Sequence, residues 1–578
     1  MTLSIVQRTP DLSHASFPAE IPPLLQRIYA ARGVLNDQDL VRTLAGLYRY
    51  EELKGIGTAA VILADAIISR RRILIVGDFD CDGATSSALA VRMLRAMGAA
   101  RVDYLVPNRF EYGYGLTPEI VAAARVKQPD VLVTVDNGIA SMAGVEAAKA
   151  SGMQVIVTDH HLAGKDLPAA DAIVNPNQPG CPFPGKNTAG VGIIFYVLCA
   201  LRTTLEQRDW FEQQGITRPN MADCLDLVAL GTVADVVSLD TNNRILVYQG
   251  LARIRAGRAC AGILALVDVA RRCRDTLSAA DLGFALGPRL NAAGRLGDMS
   301  LGIELLLTDD IQQARQMAAE LDSLNEERKS IESGMQDDAL RILARLKLDE
   351  KQSLPWGLCL FQEDWHQGVI GVLASRVKEK LHRPVIAFAA SQDGEIKGSA
   401  RSIPGFHIRD ALDAIASHNP GLLLKFGGHA MAAGLSIRQQ DYGRFAAAFD
   451  EEARRIITRE QLEALVLTDG ELASNDFSLT TAELLREAGP WGQGFPEPVF
   501  DGCFELVKQR LVGKRHLKMV LRCPGADQWI DGIAFNIDTD TWPDLSVRKV
   551  RAVYKLDINE FRGNRTLQLL VDHLESVG

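Results

Sequence analysis

The chain has 578 residues, of which 47% are hydrophobic and 23% are charged. This composition is ordinary for a folded globular protein and excludes a mainly disordered chain, and the length predicts about three or four domains. The formal net charge is −9, from 63 basic and 72 acidic residues. Such a balance argues at first against a nucleic-acid-binding protein, because those proteins usually carry a basic surface.

The chain also lacks the patterns that would send it to a membrane or out of the cell. It contains no apolar run of about 18 residues or more, and it does not begin with a basic segment followed by an apolar one. Its nine cysteines show neither disulfide nor metal spacing, as is usual in a reducing compartment. We therefore expect a cytoplasmic protein without a membrane-spanning segment.

Short apolar strands and helical segments alternate from about residue 70. The segments RRILIVGD, DVLVTVDNG and QVIVTDHH each contain a short apolar strand that ends in polar residues, and segments with helical spacing lie between them. This alternation predicts a parallel sheet with helices on its faces. Ligands of such sheets bind beyond the carboxyl ends of the strands, so the polar clusters there are the first candidates for a functional site.

The rest of the chain predicts further domains. Residues 190–300 have mostly helical patterns and a glycine-rich loop at 283–297, and a second α/β block precedes a C-terminal run of short alternating strands typical of a β-barrel or sandwich. A long polar helix is predicted between the blocks, although two helices broken near Gly334 fit equally well. The predicted segments are 1–50, 51–307, 308–350 (the helix), 351–455 and 456–578.

Three aspartates follow the first strand in the string GDFDCDG. Asp78, Asp80 and Asp82 are spaced by two, so on an extended chain they would point to one side, with a helix starting near Thr85. Carboxylates this close repel one another unless a cation holds them. A solvated acidic turn or a helix cap explains the triplet about equally well. We interpret Cys81, inside the triplet, as a packing residue.

Two further strand ends carry acidic and imidazole groups. Asp136 ends one strand, Asp159, His160 and His161 end the next, and Asp235 stands in an apolar context where a helix cap is the simpler interpretation. Asp159 could orient a histidine ring by accepting its proton. A carboxylate-rich set with imidazoles and without thiolates favours Mn²⁺ or Mg²⁺ over structural Zn²⁺. Two ions about 3.5–4 Å apart could share these ligands and hydrolyse a phosphoester.

The four strings DFDCDG, VDNG, TDHH and GTVADVV occur in the order typical of the DHH phosphoesterase superfamily, which this sequence resembles. Five more strings, together with the β-rich C-terminus, are similar to its bacterial family of single-stranded-DNA-specific 5′→3′ exonucleases. They are PNRFEYGYGL, GPRLNAAGRL, DWHQGVIGVLASR, GSARS and GGHAMAAG. The resemblance covers the chain after about residue 50. It implies an α/β fold with a DHH parallel-sheet domain, a connecting helix, a second α/β (DHH-associated) domain and a C-terminal β-barrel OB-fold.

The resemblance also implies which residues act. The residues matched to the first metal ion are Asp78, Asp80 and Asp136, and those matched to the second are Asp82, Asp136, His160 and Asp235. Asp136 would bridge the ions, and His161, oriented by Asp159, would contact the phosphate or a water. His429 would donate to the scissile phosphate. The residues that resemble DNA and phosphate contacts are Arg109, Arg289, Asn291, Arg295, Ser399 and Arg401. We interpret Trp365 and His366 as structural.

The implied function is release of 5′ mononucleotides from single-stranded DNA by two divalent cations, Mn²⁺ or Mg²⁺, in recombination and repair. Expected partners are single-stranded-DNA-binding protein and a RecQ-type helicase, with the enzyme a monomer. Two other functions remain open: a DHH enzyme acting on oligoribonucleotides or cyclic dinucleotides, and a catalytically silent DNA-binding scaffold. The first usually has a shorter chain without the β domain, and the second loses metal carboxylates.

The resemblance changes what the net charge means. Residues 506–565 carry more Lys and Arg than Asp and Glu. The net charge of −9 is therefore the sum of a basic β domain and a more acidic remainder, which includes the metal-binding carboxylates. DNA binding is therefore expected to be local to basic loops and to weaken as salt rises.

Overall fold

The computed structural model describes residues 3–107, 115–348, 354–392, 394–513, 515–523, 528–539, 541–561 and 563–577. Arg109, a predicted phosphate contact, lies outside these residues. Among them, no helix combines the length and the apolar character needed to cross a membrane. The chain forms a larger unit, Gln7–Asp322 with Leu467–Gly578, and a smaller unit, Met1–Val6 with Ser323–Val466.

The helices and strands follow in chain order. The first part contains β1 (Leu3–Gln7), α1 (Pro23–Ala30), α2 (Ile56–Ile68), β2 (Ile73–Gly77), α3 (Cys81–Ala96), β3 (Val102–Leu105), α4 (Pro118–Arg125), β4 (Val131–Val135), α5 (Met142–Ala150), β5 (Gln154–Thr158) and β6 (Ala172–Val174). The helical part contains α6 (Gly190–Gln207), α7 (Trp210–Gln214), α8 (Leu225–Ala234), α9 (Thr241–Arg255), α10 (Ala261–Val269), α11 (Ala279–Asp281), α12 (Gly287–Leu296), α13 (Ser300–Leu307) and α14 (Ile311–Leu348). The next part contains β7 (Leu358–Gln362), α15 (Ile370–Leu381), β8 (Val385–Ala390), β9 (Glu395–Arg401), α16 (Ile408–His418), β10 (Lys425–Gly428), β11 (Ala432–Arg438), α17 (Tyr442–Ile456) and β12 (Ala464–Thr468). The last part contains α18 (Leu479–Ala488), β13 (Phe500–Val512), β14 (His516–Arg522), β15 (Trp529–Ala534), β16 (Lys549–Phe561) and β17 (Asn564–Ser576).

The predicted parallel sheet is confirmed in the larger unit. Its strand order is β3-β2-β4-β5-β6, and every neighbouring pair is parallel. All five residues of β2 and of β4 are buried, which explains why these strands are continuously apolar in sequence. The carboxyl ends of β2, β4 and β5 therefore meet at one edge of the sheet, where their polar clusters follow.

The expectation of an extended acidic triplet is wrong. Helix α3 begins at Cys81 rather than near Thr85, and Asp80 is its N-cap, with its side chain accepting a hydrogen bond from the backbone N–H of Gly83 at 3.0 Å. Asp82 consequently lies in the first helical turn. A carboxylate at an N-cap satisfies an otherwise unpaired helix donor, and this local bond favours helix over extended chain.

The predicted glycine-rich loop at 283–297 is also wrong, because the segment is helical. A π-helical turn, Leu282–Leu286, runs directly into α12. Two of its glycines serve helix packing instead of loop flexibility. A Cβ on Gly294 would lie 1.9 Å from the carbonyl oxygen of Phe79, and one on Gly287 would lie 3.1 Å from Cβ of Ala234. The glycines thus let this helix approach the acidic turn and the end of α8.

The smaller unit contains the second α/β block that the sequence predicts. Its sheet has the order β10-β11-β9-β8-β7, with β7 parallel to β8 and the remaining pairs antiparallel. The predicted loop at GGHAMAAG is largely a hairpin, because β10 and β11 pair from Gly428 and Ala433 outward. Helix α14 is continuous through Gly334, so the alternative of two broken helices is wrong.

The C-terminal strands form the closed barrel β13-β14-β15-β17-β16, which confirms the OB-fold expectation. This barrel and the parallel-sheet domain belong to the same larger unit. A buried ion pair helps join the N-terminal residues to the segment before the barrel: Arg32 Nη1 lies 2.8 Å from Asp469 Oδ1, and each side chain is 1% exposed.

Candidate metal centre and phosphate-binding residues

The strand ends and the end of α8 bring three overlapping groups of possible metal ligands together. In each group, one ligand atom from every residue lies within 4.8 Å of the others. The groups are Asp78, Asp80 and Asp136; Asp82, His160 and Asp235; and Asp136, His160 and His161. The structure therefore assembles, from parts of the chain as far apart as β2 and α8, all the residues that the sequence suggested as ligands, and adds His161 to one group.

Asp136 belongs to two of these groups, and its backbone is constrained. Its φ is +61°, a left-handed conformation that is uncommon outside glycine and typical of constrained functional positions. The neighbouring Asn137 fixes the turn by donating from Nδ2 to the carbonyl oxygens of Val76 and Val135, at 3.1 and 2.9 Å. Gly190 packs directly against the aspartate, since a Cβ there would lie 2.6 Å from Cβ of Asp136.

Asp82 is held by the N-terminus of α6. Its Oδ2 accepts a hydrogen bond from the backbone N–H of Gly190 at 2.7 Å, and its Oδ1 accepts one from Val191 at 2.9 Å. These donors belong to the four that a helix start leaves without intrahelical partners, and they lie at the positive end of the helix dipole. The sequence analysis missed this contact, although the glycines at 190 and 192 mark a helix start that other groups approach closely.

Burial and mutual repulsion shape the charge state of the cluster. The pKa of Asp82 is raised to about 7, chiefly by burial and then by the charge of Asp80. Burial, followed by the charge of Asp82, raises the pKa of Asp136 and that of Asp235 well above the usual range. Carboxylates crowded in this way are stabilised as anions when divalent cations lie among them. The donor set, carboxylate oxygens with imidazole, fits Mn²⁺ or Mg²⁺.

Asp159 has a different role from the other carboxylates, because N–H groups surround it. Its Oδ1 lies 2.7 Å from Nδ1 of His161, and it accepts the backbone N–H groups of His160 and His161 at 2.7 and 3.1 Å. Its Oδ2 accepts the N–H of Ile139 at 2.9 Å. Although burial raises the pKa of Asp159, these bonds and the His161 ring lower it overall, so the group is an anion that orients the ring.

Two asparagines that the sequence analysis missed hold the Asp-His-His loop from the other side. Nδ2 of Asn175 donates to the carbonyl oxygen of His161 at 3.0 Å, and Nδ2 of Asn177 donates to that of His160 at 2.6 Å. Both lie in the NPN string directly after β6. That position, at a strand end of the same sheet, was the available signal. These bonds fix the backbone from which both imidazoles project.

Helix α12, in the segment predicted as a glycine-rich loop, carries three further candidate residues. Asn291 accepts the backbone N–H of Cys81 at 2.8 Å, so it caps α3 and supports the acidic turn. The guanidinium of Arg289 lies 2.8 Å from Asp322 and donates to the carbonyl oxygen of Ala285 at 2.6 Å. Arg295 is half-buried.

Ser399 and Arg401 lie on one face of β9 in the smaller unit. Nη1 of Arg401 donates to the hydroxyl of Ser399 at 3.1 Å, and both side chains are half-buried. The first turn of α15 adjoins them: a Cβ on Gly371 would lie 2.9 Å from Nη2 of Arg401 and 2.9 Å from Oγ of Ser399. A guanidinium, a hydroxyl and a helix N-terminus together form a suitable site for a phosphate.

The remaining candidates divide between the hairpin and packing positions. His429, also in the smaller unit, is exposed in the turn between β10 and β11, and its N–H donates to the carbonyl oxygen of Ala432 at 2.8 Å. Trp365 is buried, and Nδ1 of His366 accepts the N–H of Gly368 at 3.1 Å. Burial, together with Asp80 and Asp82, raises the pKa of the Cys81 thiol well above its usual value, which supports a packing role.

Three protein-family models match the chain. The DHH family, N-terminal domain, matches residues 72–232, the DHHA1 domain matches residues 355–455, and the RecJ OB domain matches residues 468–573. The three models follow one another in the order that the resemblance implied.

Individual proteins are similar over almost the whole chain. The single-stranded-DNA-specific exonuclease RecJ of Dickeya dadantii is 57% identical over 562 residues, which is 97% of each chain. The crystal structure of RecJ in complex with Mn²⁺ from Thermus thermophilus matches with a TM-score of 0.80 and 30% identity, covering 100% of this chain and 80% of that one. The complex of RecJ with Mg²⁺ from the same organism matches with a TM-score of 0.74 and 28% identity, covering 100% of this chain and 78% of that one.

Proposed function

Because the chain belongs to the RecJ family of single-stranded-DNA-specific exonucleases, we propose that it hydrolyses single-stranded DNA from the 5′ end and releases 5′ mononucleotides. The observation that carries this proposal is the set of three overlapping ligand groups at the carboxyl edge of the parallel sheet. This arrangement fits two divalent cations, Mn²⁺ or Mg²⁺, and the related crystal structures hold one or the other. When bound, the cations supply charge neutralisation at the phosphate and activation of a water molecule.

We assign the ligands as the groups suggest. Asp78, Asp80 and Asp136 would hold one ion, and the second would be held by Asp82, His160 and Asp235 together with Asp136, which bridges the two. The contacts that fix Asp82 on α6 and Asp136 against Gly190 support this assignment, since a two-ion site needs its carboxylates held in place.

His161 would act on the substrate phosphate. Although burial lowers its pKa, the hydrogen bond and charge of Asp159 raise it to about 9, so with these neighbours the ring carries a proton at neutral pH. With Nδ1 held by Asp159, the ring would donate from Nε2 to a phosphate oxygen. Asp159 is therefore a positioning residue in this proposal. His429 would supply a second donor to the scissile phosphate.

Ser399 and Arg401 would hold the 5′ phosphate, and the first turn of α15 would supply backbone donors to it. A site that prefers a terminal phosphate explains an exonuclease with 5′→3′ polarity. Further contacts to the DNA and its phosphates would come from Arg109, Arg289, Asn291 and Arg295. Asn291 would also support the acidic turn, because it accepts the backbone N–H of Cys81.

The barrel would bind the strand through the outer face of β14 and β15. Trp529 and Phe535 are 63% and 56% exposed near the two ends of β15, and Arg522 and Lys518 lie on the neighbouring strand opposite Trp529 and Ile533. Exposed aromatic rings alternating with cations suit stacked bases and their phosphates, and this face of an OB-fold is the usual nucleic-acid surface.

In the cell, we propose that the enzyme acts as a monomer in DNA recombination and repair, in the cytoplasm, where its nine free cysteines are stable as thiols. Single-stranded-DNA-binding protein and a RecQ-type helicase would act with it, because each provides or handles single strands.

The test is degradation of one oligonucleotide, labelled at either end in turn, by the full chain with Mn²⁺. We expect the 5′ label to appear first as a mononucleotide, and Asp136→Asn to abolish its release. Release from the 3′ label first would overturn the polarity. Turnover of dinucleotides in preference to long strands would favour a small-substrate enzyme, and binding without any cleavage would favour a silent scaffold.

A further inference from the structure

An apolar cavity of about 400 Å³ lies in the larger unit. Its wall comes from the end of α8 and the residues after it, from α9, from the π-helical turn at 282–286 with α11 before it, and from the segment 486–497 that precedes the barrel, with Lys555 added from β16. Hydrophobic side chains form most of the wall, among them Val236, Tyr248, Phe284 and Trp491. A concave apolar site of this size is large enough for a planar group such as a nucleobase.

Phe284 is the unusual member of this wall. Its side chain is 86% exposed, whereas large aromatic residues are mostly buried in folded proteins. It lies within the π-helical turn, and such turns occur frequently at functional sites because they cost helix stability. An exposed phenylalanine that contributes nothing to the core and borders a cavity is suited to stack on a ligand.

The cavity adjoins the end of α8, the part of the chain that carries Asp235. Val233, Ala234 and Val236 line it, on either side of this candidate ligand in sequence. The φ of Val236 is +63° and this residue is 64% exposed, a strained conformation for a β-branched residue. The π-helical turn packs on the last turn of α8, since a Cβ on Gly283 would lie 3.2 Å from the side chain of Val233. An occupant of the cavity would therefore lie against the segment that carries Asp235.

Cations complete the wall. Arg255, Arg486 and Lys555 line the cavity, with Glu487 and Glu497 as the acidic residues. Lys555 pairs with Glu497 at 2.9 Å and Arg486 lies 3.5 Å from Asp557, but Arg255 forms no ion pair with any described residue. Its Nε donates to the carbonyl oxygen of Leu277 at 2.8 Å, which fixes the guanidinium. Aromatic rings beside an arginine held in this way are the chemistry that recognises a base and its phosphate.

We propose that this cavity receives one base of the bound single strand, and that Phe284 stacks on it as a positioning residue. The inference rests on the proposed function and extends it by naming a base-binding subsite beside Asp235. A base can enter only when it is not paired, so stacking on Phe284 would also select against a duplex end. A partner protein that inserts an apolar side chain is the competing occupant, and it is separated by the test.

The test combines Phe284→Ala with oligonucleotides that carry a single abasic site at successive positions from the 5′ end. For the wild type, we expect the abasic site to raise KM at one position near the 5′ end, by roughly 5- to 100-fold, the usual effect of losing one stacked base. Phe284→Ala should raise KM on the intact strand by a similar factor and should be insensitive to the abasic site at that position. Phe284→Trp should restore the wild-type behaviour.

The matched control is Val126→Ala, which removes another highly exposed apolar side chain, 84% exposed, at the C-terminal end of α4. It should leave KM and kcat unchanged, and none of the variants should lower the unfolding temperature. An abasic effect that persists unchanged in Phe284→Ala, or the absence of any position-dependent effect in the wild type, would overturn the inference and point to a protein occupant instead. Failure of the proposed function would differ, because the wild type itself would then leave the single strand intact.

Discussion

Nδ1 of His161 lies 2.7 Å from Oδ1 of Asp159, and the same oxygen accepts the backbone N–H of the histidine. The aspartate thus binds its neighbour twice, once through the main chain and once through the ring. Because an ionised carboxylate only accepts hydrogen bonds, Nδ1 must carry a proton. Within the Asp-His-His string, Asp159 therefore sets the orientation of the His161 ring.

Asp159→Asn should lower kcat by about 10- to 100-fold, the usual cost of losing a group that orients a ligand-binding histidine. The amide cannot accept from all four N–H groups that the carboxylate binds, and its own NH₂ would face a donor. The ring of His161 should also lose its proton at a lower pH, because its pKa of about 9 depends on this carboxylate. Steady-state kinetics and the histidine NMR titration of the metal-free protein measure both effects.

Asp103→Asn is the control, since that aspartate pairs on the surface with Lys127 and such pairs contribute little. Equal losses in the two variants would contradict an orienting role for Asp159.

Asp82→Asn should make the metal-free protein less sensitive to pH. The pKa of Asp82 is raised by burial from its ordinary value near 4 to about 7 in the folded state, so its ionisation opposes folding. The stability that the protonated group contributes is complete below about pH 4 and is lost as the pH rises to about 7. In EDTA, the unfolding temperature of the variant should rise relative to the wild type across this window, by several degrees.

With Mn²⁺, the wild type should have the higher unfolding temperature of the two proteins. A ligand that binds the native state raises this temperature, and Asp82→Asn lacks one of the carboxylates that would bind the ion. Differential scanning fluorimetry from pH 4 to pH 8, with and without the ion, provides the measurement. A difference between the two proteins that does not change with pH would show that the carboxyl is already ionised without metal.

The strand ends of the metal centre could be predicted because their signal is local. Asp78, Asp136 and Asp159 each follow a short apolar strand, and parallel strands bring their carboxyl ends to one edge. The partner of Asp82 could not be predicted, since Gly190 is more than a hundred residues away and only packing brings α6 to it.

The prediction for the segment 283–297 was wrong because glycine occurs both in flexible loops and where helices pack closely. In the segment 283–297, glycines suggested a flexible loop, but Gly287 and Gly294 are there because a helix approaches backbone and Cβ atoms closely. Such an approach is a property of the partner surface and leaves no local pattern. The sequence also leaves no pattern for the positive φ of Val236 or for the exposure of Phe284, because both depend on the folded structure.

Gly190→Ala should disable the metal centre without removing any candidate ligand. The added Cβ would lie 2.6 Å from Cβ of Asp136 and 2.8 Å from its Oδ1, so the carboxylate must move. A displacement near 1 Å at a catalytic group costs on the order of 100-fold in rate. Manganese affinity by calorimetry and cleavage rate should fall together.

Gly57→Ala is the matched control in the same unit, because its added methyl group would meet no atom within 4 Å. That variant should keep full activity and be neutral or slightly more stable, as alanine is the better helix former. Normal manganese binding in Gly190→Ala would mean that the start of α6 moves to accommodate the methyl group and that Asp136 stays in place.

Arg401→Ala should remove the preference for a 5′ phosphate. A charge-assisted bond from the guanidinium is worth roughly 10- to 100-fold in affinity, so KM for 5′-phosphorylated strands should rise by that factor. Strands with a 5′ hydroxyl should change little. The control is Arg438→Ala at the far end of the same strand pair, opposite Glu395. If both kinds of strand respond equally in Arg401→Ala, the residue contributes a general attraction and not a terminal site.

Trp529→Ala should weaken binding of long single strands by roughly 5- to 100-fold while leaving the cleavage of short ones nearly unchanged. The ring is 63% exposed and lies opposite Arg522, whose Nε is bound by Glu505 at 2.9 Å, so its removal opens no cavity. Because stacking is independent of phosphate charge, the salt dependence of binding should keep its slope, whereas Lys518→Ala should reduce it.

Leu545→Ala, which truncates a side chain that is 73% exposed, is the control for lost surface hydrophobicity. Fluorescence anisotropy with strands of increasing length distinguishes the outcomes, since an equal loss on short and long strands would place Trp529 at the 5′ end of the substrate instead of along its path.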